Sequence, residues 1–257
     1  MEKTITVDNI SKTFSLSKKQ RRIEKTDSKK KVAVNGLSFE AYKGEIFGLL
    51  GPNGAGKTTT LRCISTLIKP DSGDIFINNY SVVNEEEKVR SSIGFLTSDL
   101  KLEDFFTPNY LYNYFSKLHG IPDMVSEARK EKLFTKFGID KFKEVKVGDL
   151  STGMRQKIQI VISIVHDPDI IIFDEPTNGL DVVTARVVTD FLKELRDEGK
   201  TIIVSTHIFS LVEKICDRVG IIIDGKLKIA GTLDELLTKN ETLEDYFFSL
   251  IEEEESI

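Results

Sequence analysis

Cysteine is scarce, long apolar runs are missing, and the charge balance has no cationic excess. The two cysteines, Cys63 and Cys216, stand far apart in the sequence. They fit neither the clustered spacing of a thiolate metal cage nor a disulfide framework, so buried free thiols in a reducing compartment are expected. No stretch approaches the ~18 uninterrupted apolar residues that cross a bilayer. The opening MEKTITVDNI lacks the apolar core of a signal peptide. A cytosolic chain follows, and any membrane crossing would fall to another polypeptide. The formal net charge of −5 argues against nucleic acid as the main partner, because that role leaves a basic footprint. There is no internal repeat.

What is present describes a folded α/β protein. At 257 residues, 40% hydrophobic and 30% charged, the chain suffices for one large domain with a subdomain. Four apolar runs, EIFGLL (45–50), IIIF (170–173), TIIVST (201–206) and VGIII (219–223), are bounded by Gly, Asp or Pro. Runs apolar on both faces predict strands buried between helices in a mostly parallel sheet. Helical patterns separate them, such as VVTARVVTDFLKELRDEG (182–199) closing on Gly199. Residues 15–31, polar and strongly basic, read as a long mobile loop inserted near the N-terminus. The segment 98–165, rich in Phe, Tyr and helix formers, reads as an inserted helical subdomain whose aromatics (105–115) are mostly core. Residues 1–235 then form one domain, and 236–257 a helical extension with a solvated acidic tail.

The chemistry concentrates at three places. GPNGAGKTTT (51–60) has the pattern G-x-x-x-x-G-K-[ST] directly after an apolar strand and before a helical stretch. Gly51, Pro52, Asn53, Gly54, Ala55, Gly56, Lys57, Thr58 and Thr59 would cradle phosphates; Lys57 neutralises β/γ charge and Thr58 offers its hydroxyl to Mg²⁺. In IIIFDEP, Asp174 and Glu175 emerge at a strand's carboxyl end. Adjacent residues on an extended chain point oppositely, so Asp174 would hold Mg²⁺ while Glu175 polarises the attacking water. His207 follows TIIVST and lies on the same sheet edge, as a γ-phosphate contact.

With LSTGM (150–154), these residues resemble the nucleotide-binding subunit of an ATP-binding cassette (ABC) transporter over about residues 3–235, in the order GPNGAGKTT, LSTGMRQ, IIIFDEPTNGLD, STH. The resemblance implies a P-loop NTPase core with a mostly parallel sheet, an N-terminal antiparallel β part and an inserted helical subdomain. It implies ATP hydrolysis with Mg²⁺, with Phe14 stacking on adenine, Asp181 as the D-loop acid and His207 as the switch histidine. Ser151, Thr152, Gly153 and Met154 would meet the nucleotide of a second copy or close relative in a head-to-tail dimer; Thr152 and Met154 depart from the usual LSGGQ. Alone, IQIVISIV after the turn fits either a helix with Ser151 as N-cap or a strand, and only the resemblance selects helix. A family glutamine aligns with Ser98, with Thr97 and Asp99 as register alternatives; serine there would act through a bridging water. The implied partners are integral membrane permease subunits, which the helical subdomain would meet, and the implied place is the cytoplasmic membrane face. Sodium or drug export through a separate permease is the expected function, and a soluble ABC ATPase in translation or iron–sulfur assembly the alternative.

Overall fold

The computed structural model describes residues 2–23, 25–97, 100–237 and 242–255. In chain order the elements are β1 (Lys3–Ser15), α1 (Lys18–Ile23), β2 (Lys30–Tyr42), β3 (Ile46–Leu50), α2 (Lys57–Ile64), β4 (Ser72–Ile77), β5 (Tyr80–Ser81), α3 (Glu86–Ser92), β6 (Ile93–Leu96), α4 (Pro108–Leu118), α5 (Asp123–Phe137), α6 (Thr152–Ser163), β7 (Ile170–Asp174), α7 (Val182–Asp197), β8 (Thr201–Thr206), α8 (Phe209–Ile215), β9 (Arg218–Ile223), β10 (Lys226–Thr232), α9 (Leu233–Leu236) and α10 (Leu243–Glu255).

The four apolar runs form β3, β7, β8 and β9, which lie with β6 and β10 in one sheet of order β10-β9-β3-β8-β7-β6. All its neighbours run parallel except the β9–β10 hairpin. Both faces are covered, and side chains divide between them with period two. Ile46 and Leu50 of β3, Ile171 and Phe173 of β7, and Ile202 and Val204 of β8 pack with α4–α8. Phe47 and Leu49, Ile170 and Ile172, and Ile203 face a second core under the antiparallel sheet β2-β1-β4-β5. Phe47 stacks there on Phe39 of β2, ring centroids 4.9 Å apart. This is the architecture of a P-loop NTPase core with an antiparallel N-terminal part.

The basic stretch differs from the loop expected of it. β1 and β2 pair as a long hairpin as far as Ser15 opposite Lys30, and α1 sits beyond its end. Ser17 and Gln20 close the start of that helix reciprocally. The Gln20 N–H donates to Ser17 Oγ at 3.2 Å and the Ser17 N–H to Gln20 Oε1 at 2.8 Å, a capping-box arrangement legible in SKKQ.

Residues 100–165 carry α4, α5 and α6 and no strand. Tyr112 is fully enclosed, but Phe105, Tyr110 and Tyr114 are exposed, so the aromatic set is divided between core and surface. The ambiguous IQIVISIV is helical: Ser151 Oγ accepts the Met154 N–H at 3.2 Å as N-cap, and Ile158, Val161 and Ile162 are buried. At the other end, α10 packs on α8, with Leu243 fully buried and Phe247 against Phe209 at 5.3 Å. Cys63 and Cys216 are buried free thiols, and burial pushes the Cys63 pKa up to about 11. No helix among the described residues is long and apolar enough to cross a membrane.

Candidate functional site

Parallel pairing brings the ends of β3, β7 and β8 to one rim, with Leu50 opposite Thr206 and Asp174 opposite Ser205. From β3 the chain turns through residues 51–56 into α2. Gly56 has φ +106, and a Cβ on it would lie 2.3 Å from the Ala33 carbonyl oxygen, so no other residue fits without a shift. No side chain caps α2. Its first-turn N–H groups are therefore left to an anion, which the helix dipole also favours. Lys57 is buried and curls back on the loop, donating to the carbonyls of Gly51 (2.7 Å) and Pro52 (3.1 Å). Burial lowers its pKa, while Glu175, 3.8 Å away, and Asp174 oppose that shift by favouring the ammonium form.

Asp174 ends β7 and is buried. Two hydroxyls donate to its Oδ1: Ser205 from the adjacent strand, and Thr58 at 3.2 Å. Its Oδ2 is enclosed without a partner among the described residues. Glu175 diverges from Asp174, but not through the strand alternation expected of it. It lies past the strand at φ +54, a left-handed conformation costing on the order of 1–3 kcal/mol in a non-glycine residue. The Glu175 N–H, donating to Ser205 O at 3.1 Å and Ser205 Oγ at 3.3 Å, holds the turn. Glu175 Oε1 meets His207 Nδ1 at 2.9 Å, and Oε2 is buried without a partner among the described residues. Unpaired buried carboxylate oxygens are costly unless a ligand completes them.

A cleft of about 480 Å³ opens above this rim. It gathers Phe14 from β1, Asn53, Gly54, Gly56, Lys57, Thr58 and Thr59 from the loop and α2, and Glu175 and His207 from the neighbouring strand ends. Gly51, Pro52 and Ala55 shape the loop from behind; Ala55 is buried, and Asp174 lies beneath Thr58. Four contributors escaped the sequence reading: Lys31, directly across the ladder from Phe14; Ala33, on the same strand; Asn178, in the turn after β7; and Ser205, hidden inside an apolar run. The S-T-H triplet was the one available signal for Ser205. Ser98 and its alternative Asp99 lie outside the described residues.

Ser151, Thr152, Gly153, Met154 and Asp181 do not line the cleft. They adjoin one another instead: a Cβ on Gly153 would stand 3.4 Å from Thr184 Oγ1 and 3.7 Å from Asp181 Oδ2. Asp181 caps α7, its Oδ1 accepting the Val183 and Thr184 N–H groups at 3.0 Å each. Those bonds, the Thr184 N–H first among them, lower its pKa. A larger hollow of about 560 Å³ between α5 and α7 contains none of these residues.

Comparison with known proteins agrees with this geometry. The family profile described as ABC transporter matches residues 34–178. The chain belongs to the ABC transporter family. It is an ATPase of that family and binds ATP. It is 40% identical over 221 residues to ABC transporter ATP-binding protein NatA of Bacillus subtilis (strain 168), covering 85% of this chain and 89% of NatA. It is 35% identical over 210 residues to the linearmycin resistance ATP-binding protein LnrL of the same strain, covering 82% of this chain and 68% of LnrL. A solved ATP-binding subunit of an ABC transporter superposes with a TM-score of 0.83 at 26% identity, covering 96% of this cassette and 99% of that one.

Proposed function

We propose that this ABC ATPase is the motor of an exporter: it pairs with a second cassette at the cytoplasmic membrane face and drives a separate permease that expels sodium ions or a drug. One observation carries the reading. The chain has two helix N-termini suited to a phosphate, α2 inside the cleft and α6 outside it, so the second is positioned to serve another chain's nucleotide. The names of NatA and LnrL, a transporter subunit and a resistance protein, support transport over a role in translation or iron–sulfur assembly. The exposed aromatics Phe105, Tyr110 and Tyr114, joined through Phe106 in one run of ring contacts, support a protein partner at α4.

Under this reading Phe14 stacks on adenine and residues 51–59 hold the triphosphate. Lys57 exchanges the carbonyls of Gly51 and Pro52 for phosphate oxygens. The unpartnered Oδ2 of Asp174 and the Thr58 hydroxyl suit a hard cation. No cluster of three or more His, Cys, Asp or Glu among the described residues could hold a metal alone, so phosphate and water would complete the shell, as is usual for Mg²⁺. Bound there, Mg²⁺ supplies positive charge against the β/γ-phosphate oxygens.

Glu175 Oε2 accepts a proton from water as the water oxygen bonds to the γ-phosphorus. The bond from that phosphorus to the β–γ bridging oxygen breaks, leaving ADP and phosphate. His207 holds Oε1, which fixes the carboxylate's direction. Ser151, Gly153 and Asp181 act on the partner's nucleotide. The test is Ser151→Arg: the purified chain should keep ATP binding and lose hydrolysis. Undiminished hydrolysis would refute the second cassette's contribution.

A further inference from the structure

We propose that the outer end of the β1–β2 hairpin is a docking surface for the headgroups of anionic phospholipid. Residues 15–31 contain eight Lys and Arg against two acidic residues, in a chain whose net charge is −5. The fold gathers four of these cations. Lys18, Arg21, Arg22 and Lys25 line a hollow of about 360 Å³ together with Thr26 and a single carboxylate, Asp27. The Nε–H of Arg21 is shielded from solvent and has no acceptor among the described residues. A buried guanidinium donor left open is costly, and a phosphate oxygen is its best complement. None of the four is ion-paired to a carboxylate among the described residues.

The surface is presented rather than loose. The ladder continues past Ser15 through the Leu16 N–H to Lys29 O at 2.8 Å, and the Thr26 N–H returns to Arg21 O at 3.1 Å. Beside the cations Ile23 is 70% exposed, an apolar side chain at the place where an interfacial anchor would sit. Charge distribution chooses between phosphate sources. A long nucleic acid lying on the hairpin would run onto an otherwise acidic molecule. A lipid surface would meet only the cationic end and accept Ile23. The four cations stand outside the nucleotide cleft. The proposal is also independent of the permease reading, since a chain that engaged no permease would still bind vesicles.

Vesicle flotation tests it, with phosphatidylcholine alone and with phosphatidylglycerol added, using the whole protein. The wild type should float only with the anionic vesicles, and less as salt rises. The combined variant Lys18→Glu, Arg21→Glu, Arg22→Glu, Lys25→Glu should lose on the order of 100-fold or more in partitioning. Its ATPase rate without vesicles should be unchanged, which shows that it is folded. Ile23→Ser should weaken flotation without altering that rate. Failure of the wild type to float, equal flotation of the charge-reversed variant, or binding to an RNA oligonucleotide without binding to vesicles would each overturn the proposal.

Discussion

The beginnings of α2 and α6 offer the same chemistry in opposite surroundings. At α2 the cap is Gly56 in the left-handed region, no side chain competes for the first N–H groups, and Lys57, Glu175 and His207 line the space in front. At α6 the cap is Ser151, its hydroxyl already engaged with the Met154 N–H, and the near neighbours are Asp181 and Thr184. One helix end opens into a cleft that also gathers a lysine, a glutamate and a histidine. The other carries a hydroxyl and a glycine beside the Asp181 carboxylate and outside the cleft of its own chain. A helix terminus becomes a reaction centre through what the sheet edge places before it.

Substitutions in and around the two termini can break this contrast. Glu175→Gln has the largest expected effect: hydrolysis should fall by on the order of 10²–10⁴ while ATP binding persists and a nucleotide-bound dimer accumulates. Phosphate release and size-exclusion chromatography with ATP check this, and a normal rate would remove Glu175 as the base. Gly56→Ala and Gly153→Ala sharpen the comparison directly. The first drives a Cβ to 2.3 Å from the Ala33 carbonyl at φ +106, so ATP binding should be lost. The second meets Thr184 at 3.4 Å, so the single chain should fold and bind ATP normally, with only turnover reduced. Equal loss of ATP binding in both, by nucleotide titration, would erase the distinction.

Ser205→Ala comes next. It removes a donor to Asp174 Oδ1 and an acceptor for the Glu175 N–H, at a cost of about 1–3 kcal/mol. The Mg²⁺ concentration for half-maximal hydrolysis should rise, and Ser205→Thr should recover part of the loss.

The smallest effect concerns the stacked pair His119 and His166, with ring centroids 4.2 Å apart. Burial holds both pKa values below the unperturbed 6.5, and each ring's neighbours include the other, with Arg129 and Asp167 beside His166. The unfolded chain therefore binds protons first, and stability should fall as pH drops below 6.5 toward the lowered native values. His166→Gln should flatten the dependence of the melting temperature on pH across that window; an unchanged slope would acquit the pair.

Much of this could be read in the sequence because the strands are buried on both faces. Runs such as IIIF and TIIVST have few alternatives, and the phosphate loop between a run and a helix carries its own geometry. What escaped reading depended on contacts between distant segments. Nothing local in DEP announces that Glu175 turns left-handed, because the bonds that hold it come from Ser205 on another strand. Ser205 itself looked like part of an apolar run. The helical state of IQIVISIV, which periodicity left open, was selected by the family resemblance, and the burial of Ile158, Val161 and Ile162 accounts for it. The α1 helix was legible in principle, through Ser17 and Gln20, but eight charges suggested solvent instead.

Mixing two disabled proteins tests the central claim most directly. Lys57→Ala destroys the pocket at α2 and Ser151→Arg the corner at α6, so each alone should be inactive. If each site is assembled from two chains, the mixed dimer contains one site with both parts intact, and an equimolar mixture should regain about a quarter of wild-type hydrolysis. A mixture as inactive as its components would mean that each chain works on its own nucleotide alone.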